Sequence, residues 1–167
     1  RSDVLVAEGE IKEVSATPLK TTRAAVVDCK GRILMPGMID AHVHVYASSV
    51  DPRDAAERPP SFLAHYAAHF LKASLDRGFT TVRDMGGADV GLARAIEADL
   101  LPAPRLFYCG RAISQTGGHG DLRSGDRNLC ESACSCAAAA LSVVADGPDA
   151  MRRTVRPPPP RGATHIK

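Results

Sequence analysis

Met35-Pro36-Gly37-Met38-Ile39-Asp40-Ala41-His42-Val43-His44 decides how this chain reads. It is an apolar run, interrupted only by Asp40 and the histidines, that starts after a Pro-Gly turn and ends on a His-x-His pair. Side chains on a strand repeat every second residue, so His42 and His44 share one face. Neutral imidazole is the commonest metal ligand among side chains, and two convergent nitrogens at a strand end suit a zinc-like ion. The competing reading is two polar strand-end residues hydrogen-bonded to their neighbours.

Strands and helices alternate downstream of this run. Residues 38–45 read as a strand buried on both faces, as in a parallel sheet. Ser61 is expected to cap a helix to about residue 77, with Phe62, Leu63, Tyr66, Phe70, Leu71 and Leu75 as its apolar stripe and Gly78 as its stop. Residues 79–83 give a second strand, 90–100 a helix with Leu92, Ala93 and Ile96 inward, and 105–109 a third strand. A Gly-rich loop over 114–125, a helix over 148–156 and a fourth strand from Ala163 to Lys167 complete the series. Alternation of this kind predicts a parallel sheet with right-handed crossovers. A closed (β/α)8 barrel takes about 250 residues, so this chain supplies about half of one.

Upstream, residues 1–36 alternate and turn often. Two short strands within residues 3–14, joined at Glu8-Gly9-Glu10, are followed by a strand at 24–28, a Lys30-Gly31 turn and a short strand at Ile33-Leu34. They read as part of a small antiparallel β-sandwich, with residues 37–167 as the second domain. Val4 to Val6 already read as mid-strand, so the natural N-terminus is expected upstream of Arg1.

The chain has 167 residues, a net charge of +2 and no tryptophan. Without a basic tract or stacking aromatics, nucleic acid is not an expected partner. No run of about 18 apolar residues is present, so no membrane span is expected. Five scattered cysteines do not suggest a disulfide framework. A cytoplasmic setting is the favoured expectation, and no residue pattern fixes the compartment. Cys130, Cys134 and Cys136 lack the paired spacing of a zinc ribbon. Residues 130–145 and the proline run 157–160 depart from the pattern, as a local reading-frame change would make them. The prolines should end the preceding helix in polyproline II.

Other residues stand where chemistry is expected. His119, in Thr116-Gly117-Gly118-His119-Gly120-Asp121, is either a substrate contact at the barrel mouth or a turn residue that the glycines accommodate. Arg83 and Asp84, at the end of the second strand, either position substrate or pair with neighbouring charges. His65 and His69 are four apart on a helix but lack the Glu of a His-Glu-x-x-His site, so they read as flank residues.

Residues 36–44 resemble the first-strand signature of the amidohydrolase superfamily, and Gly78-Phe79-Thr80-Thr81-Val82-Arg83-Asp84 resembles its second-strand region. Residues 116–121, 145–149 and 162–167 are similar to the branch with prolidase-like (Xaa-Pro dipeptidase) and zinc carboxypeptidase-like members, related to imidazolonepropionase. The resemblance implies a (β/α)8 barrel with a small β-sandwich, and hydrolysis of amide or peptide C–N bonds by a metal-activated water. It implies that His42 and His44 bind one metal and that Lys167, carboxylated, bridges two divalent metals, usually zinc. Carboxylation turns a cationic amine into an anionic oxygen ligand that two cations can share. The resemblance also implies two histidines from strands five and six and an aspartate after strand eight, none of which lies within these 167 residues. No catalytic acid or base is therefore named here, and the chain alone is expected to be inactive. Dipeptides or N-acyl amino acids are the implied substrates, and a homo-oligomer the implied state of the full-length parent. Two alternatives stay open: a non-catalytic scaffold that has lost its metals, and a cyclic-amidine or lactone hydrolase of the same superfamily. Half a barrel exposes two strand edges, so poor solubility or assembly with another chain is expected.

Overall fold

The computed structural model describes residues 2–21, 23–51, 55, 58–122, 141–156 and 162–167. The expected polyproline segment, the three clustered cysteines and the end of the Gly-rich loop lie outside these residues. The chain divides into two compact units, Arg1–Pro36 and Gly37–Lys167.

In the first unit β1 (Asp3–Ala7) and β2 (Glu10–Ser15) form an antiparallel hairpin. The turn uses Glu8 and Gly9 at φ 55° and 76°, the left-handed geometry that the Glu-Gly-Glu signal announces. The expected strands at 24–28 and 33–34 are not formed. The Lys30-Gly31 turn between them is present, closed by Arg32 N donating to Cys29 O at 2.9 Å. Val26, Val27 and Ile33 are 81–90% exposed, so these β-prone residues have neither a ladder nor a packing surface to fix them as strands.

The second unit is a mixed α/β structure built on a parallel sheet of order β3-β4-β5, comprising Met38–Val43, Phe79–Asp84 and Arg105–Tyr108. Helix α1 (Pro60–Asp76) connects the first two strands and α2 (Val90–Glu97) the next two. Helix α1 starts two residues earlier than expected: Pro59 stands at the cap instead of Ser61, and Pro60, with no N–H to lose, opens it. Its buried stripe is Leu63, Ala67 and Leu71, whereas Phe62 is exposed. Gly78 stops it at φ 94° as expected. Asp89 caps α2 by accepting Leu92 N at 2.9 Å. The core holds Val43, Val45, Leu63, Ala67, Leu71, Val82, Leu92 and Tyr108, between the helices and one face of the sheet.

A short parallel pair, β6 (Ala112–Ser114) with β7 (Ser142–Val144), follows, then α3 (Gly147–Val155). No strand was expected at either place: β6 ends where the Gly-rich loop over 114–125 begins, and β7 lies within residues 130–145, which depart from the sequence pattern. The expected fourth strand, residues 163–167, forms no regular ladder. It is nevertheless tied beside β5, with Thr164 N donating to Tyr108 O at 2.9 Å, and Lys167 O accepts Ile113 N at 2.8 Å.

Leu71 is fully buried where α1 meets the sheet. Leu71→Ala should lower unfolding stability by about 2–5 kcal/mol in a urea titration. A change below about 1 kcal/mol would contradict this packing.

Candidate metal centre

The site begins with an irregularity in β3. The ladder pairs Asp40 with Val82 and Val43 with Asp84, so β3 advances by one residue more than β4, and neither Ala41 nor His42 has a register partner. Asp40 and Val82 line a cleft with Tyr66, Phe70 and Ala73 of α1, which fixes them on the helix side of the sheet. Val43 and Asp84 are buried on that same side. His42, between the extra residue and Val43, therefore faces the opposite way, with exposed Arg83 of β4. Unbroken alternation from Asp40 would have sent His42 into the helix layer.

Two side chains satisfy the backbone groups that the bulge frees. Asp40 Oδ1 accepts His42 N at 3.1 Å, and Arg83 Nε donates to Ala41 O at 2.8 Å. Arg83 thus has a structural partner, a backbone carbonyl in place of the neighbouring charge that was one expectation.

The histidine rings lie with centroids 5.3 Å apart. His44 Nδ1 is 2.9 Å from Gly86 O. A carbonyl only accepts, so Nδ1 carries the proton and the lone pair is on Nε2. His42 Nε2 stands 3.5 Å from Lys167 Nζ across 125 residues of chain. An ammonium only donates, so His42 too presents its Nε2 lone pair. The structure thus brings His42 and Lys167 together and holds His44 beside them.

His119 is exposed on its loop, and no hydrogen bond joins it to this cluster among the described residues. The loop is anchored elsewhere, through Thr116 N and Oγ1 to Asp146 and Gly117 N to Asp121. His65 and His69 are exposed on α1. No group of three or more His, Cys, Asp or Glu residues converges among the described residues, so a third ligand from within them would have to come from Lys167.

Asp84, expected either to position substrate or to pair with neighbouring charges, is fully buried, and its hydrogen-bond partners among the described residues are backbone amides. Its Oδ2 accepts Val45 N at 2.8 Å and its Oδ1 accepts Gly86 N at 2.9 Å and Ala88 N at 3.0 Å. The i to i+2 contact is an Asx turn, the signal that Asp84-Met85-Gly86 carries in the sequence. Burial pushes the Cys109 thiol up, and the Asp84 charge adds to that effect. Cys109 therefore stays protonated and is not a nucleophile at neutral pH. Burial, then the Asp89 charge, likewise raises Tyr46, whose hydroxyl lies 3.4 Å from Asp89 Oδ1.

Does the donor set fit metal? Two imidazoles present pyridine-type nitrogens on one exposed face, one with its other nitrogen tied to a carbonyl, as metal-binding histidines require. Lys167 fits only after conversion to an anion. With that change the residues present fit a divalent ion.

Gly86 has φ 149°, and a Cβ on it would meet Leu141 O at 3.1 Å, Ala112 Cβ at 3.3 Å and His44 Cε1 at 3.4 Å. Gly86→Ala should cost about 1–3 kcal/mol by chemical denaturation. It should also cost more than Gly9→Ala, where no atom lies within 4 Å. Equal costs would contradict the crowding.

The sequence and fold have known relatives. The model of the Amidohydrolase family matches residues 33–164. Ochratoxinase from Aspergillus niger is 31% identical over 161 residues, covering 90% of this chain and 33% of that protein. A prolidase solved with N-methylphosphonate-L-proline superposes with TM-score 0.87 at 42% identity, covering 99% of this chain and 41% of the other. An amidohydrolase structure gives 0.85 at 44% identity, with coverages of 98% and 40%. The chain thus spans about a third to two fifths of the length of these relatives. No helix among the described residues is long and apolar enough to cross a membrane. With its family match over most of its length, the chain belongs to the amidohydrolase family.

Proposed function

We propose that this chain supplies the first ligands of a dinuclear metal centre in a hydrolase of amide or peptide C–N bonds, with dipeptides or N-acyl amino acids as substrates. The observation that carries the reading is the approach of His42 Nε2 to Lys167 Nζ at 3.5 Å. The likeness to a prolidase structure at 42% identity supports the substrate class.

In this reading His42 and His44 would hold one ion, and carboxylated Lys167 would be shared between two. Lys167 acquires its ligand atoms by reaction with carbon dioxide. The free amine attacks the carbon, an N–C bond forms, and the proton leaves to solvent, giving an anionic carbamate with two oxygens. The chemistry that such ions supply is a water of lowered pKa and a polarised scissile carbonyl. The chain's own residues orient the ligands: Gly86 O fixes the His44 tautomer, while Asp40 and Arg83 hold the bulge that turns His42 toward Lys167. Arg83, exposed on that face, is a substrate contact in this reading. His119, exposed on its loop and without a hydrogen bond to the cluster among the described residues, is the second substrate contact of this reading.

Zinc binding followed by calorimetry should tighten when bicarbonate is added, and intact mass should rise by one carbon dioxide. Lys167→Ala should abolish both responses. In the whole protein, the same change should reduce Xaa-Pro dipeptide hydrolysis by on the order of 100-fold or more. Zinc affinity indifferent to bicarbonate and to Lys167→Ala would overturn the bridging role.

A further inference from the structure

We infer that Asp84 is a positioning residue for His44, acting through the backbone of the β4 exit loop. The inference rests on the proposed role of His44 as a ligand. Asp84 joins the ends of β3 and β4, where one backbone hydrogen bond, from Met85 N to Val43 O at 2.8 Å, also crosses. Its Oδ2 holds Val45 N, the residue after His44, and its Oδ1 holds Gly86 N and Ala88 N. Gly86 O in turn takes the His44 Nδ1 proton at 2.9 Å. One carboxylate thus fixes both the backbone that carries the imidazole and the carbonyl that orients it.

The arrangement has little slack. Asp84 is wholly enclosed, so no water competes for these amides. Hydrogen bonds to a charged acceptor are shorter and stronger than neutral ones, and here three N–H groups share one carboxylate. A side chain at Gly86 would crowd Leu141 O and Ala112 Cβ, and the Gly86 amide that Asp84 holds adjoins the carbonyl that orients His44. Free imidazole prefers its proton on Nε2, the nitrogen that a metal needs bare. The Gly86 carbonyl reverses that preference only while it is held within hydrogen-bond reach. Asparagine at position 84 fills the same volume but puts an NH2 where one of the acceptors stands, facing an N–H donor.

The test is the tautomer of His44 in the metal-free chain, read by long-range proton–nitrogen NMR, with zinc affinity measured on the same samples. The native chain should show a single Nδ1–H form. Asp84→Asn should shift His44 to the Nε2–H form and weaken zinc binding about 10- to 100-fold. Leu71→Ala, destabilised through the core, should leave the tautomer as it is, which separates positioning from general loss of stability. An unchanged Nδ1–H form and unchanged zinc affinity in Asp84→Asn would overturn the inference. Tautomer loss in a chain that binds no zinc would uphold the positioning role and overturn the metal reading instead. Should Asp84→Asn not fold, amide exchange in the native chain decides. Val45, Gly86, Ala88 and the His44 ring proton should exchange as one cooperative unit, and independent exchange would overturn the inference.

Discussion

The candidate centre depends on one extra residue in β3. Parallel pairing of β3 with β4 would carry strict alternation from Asp40 to His44 and turn both imidazoles toward α1. The register shift between Asp40 and Val43 breaks that alternation once. The apolar side chains Val43 and Val45 then go into the core, and the histidines go to the opposite face. A bulge leaves backbone polar groups outside the ladder, and each unsatisfied group would cost about 1–3 kcal/mol if buried. Asp40 and Arg83 take the freed N–H and C=O, so the irregularity is held by side chains from both strands.

Around this bulge the second unit divides its labour by face. The helix side of the sheet is packed and apolar, with Leu63, Ala67 and Leu71 of α1 against Val82 and Tyr108. The other side presents His42, Arg83 and Lys167, which are exposed among the described residues. Between the faces, at the strand ends, the buried Asp84 carboxylate ties the β3 exit to the β4 exit. A rigid apolar layer on one side and a stapled loop at the end are what a ligand set needs if its nitrogens are to keep their aim.

Much of this was legible in the sequence. The His-x-His spacing and the period of a strand put His42 and His44 on one face, and the alternation of strand and helix gave the parallel order of β3, β4 and β5. Gly78 and the Glu8-Gly9 turn were readable because they need left-handed backbone. The direction in which the histidines point was not readable, since a register shift is decided by pairing with β4 and not by local pattern. The strands expected at 24–28 and 33–34 show the same limit from the other side: β-branched residues favour a strand only where a neighbour exists to pair with them. The buried role of Asp84 is carried by the Asx signal in Asp84-Met85-Gly86, a local pattern of side chain and turn. Lys167 has no local signal, and its role is legible only through the likeness of residues 162–167 to a known motif.

The most direct measurement is a zinc-edge anomalous difference map from crystals of the zinc-loaded protein grown with bicarbonate. The account predicts a peak about 2.0–2.1 Å from Nε2 of both His42 and His44, with carbamate density continuous with Lys167 Nζ. A peak at another site, or coordination of His44 through Nδ1, would contradict it.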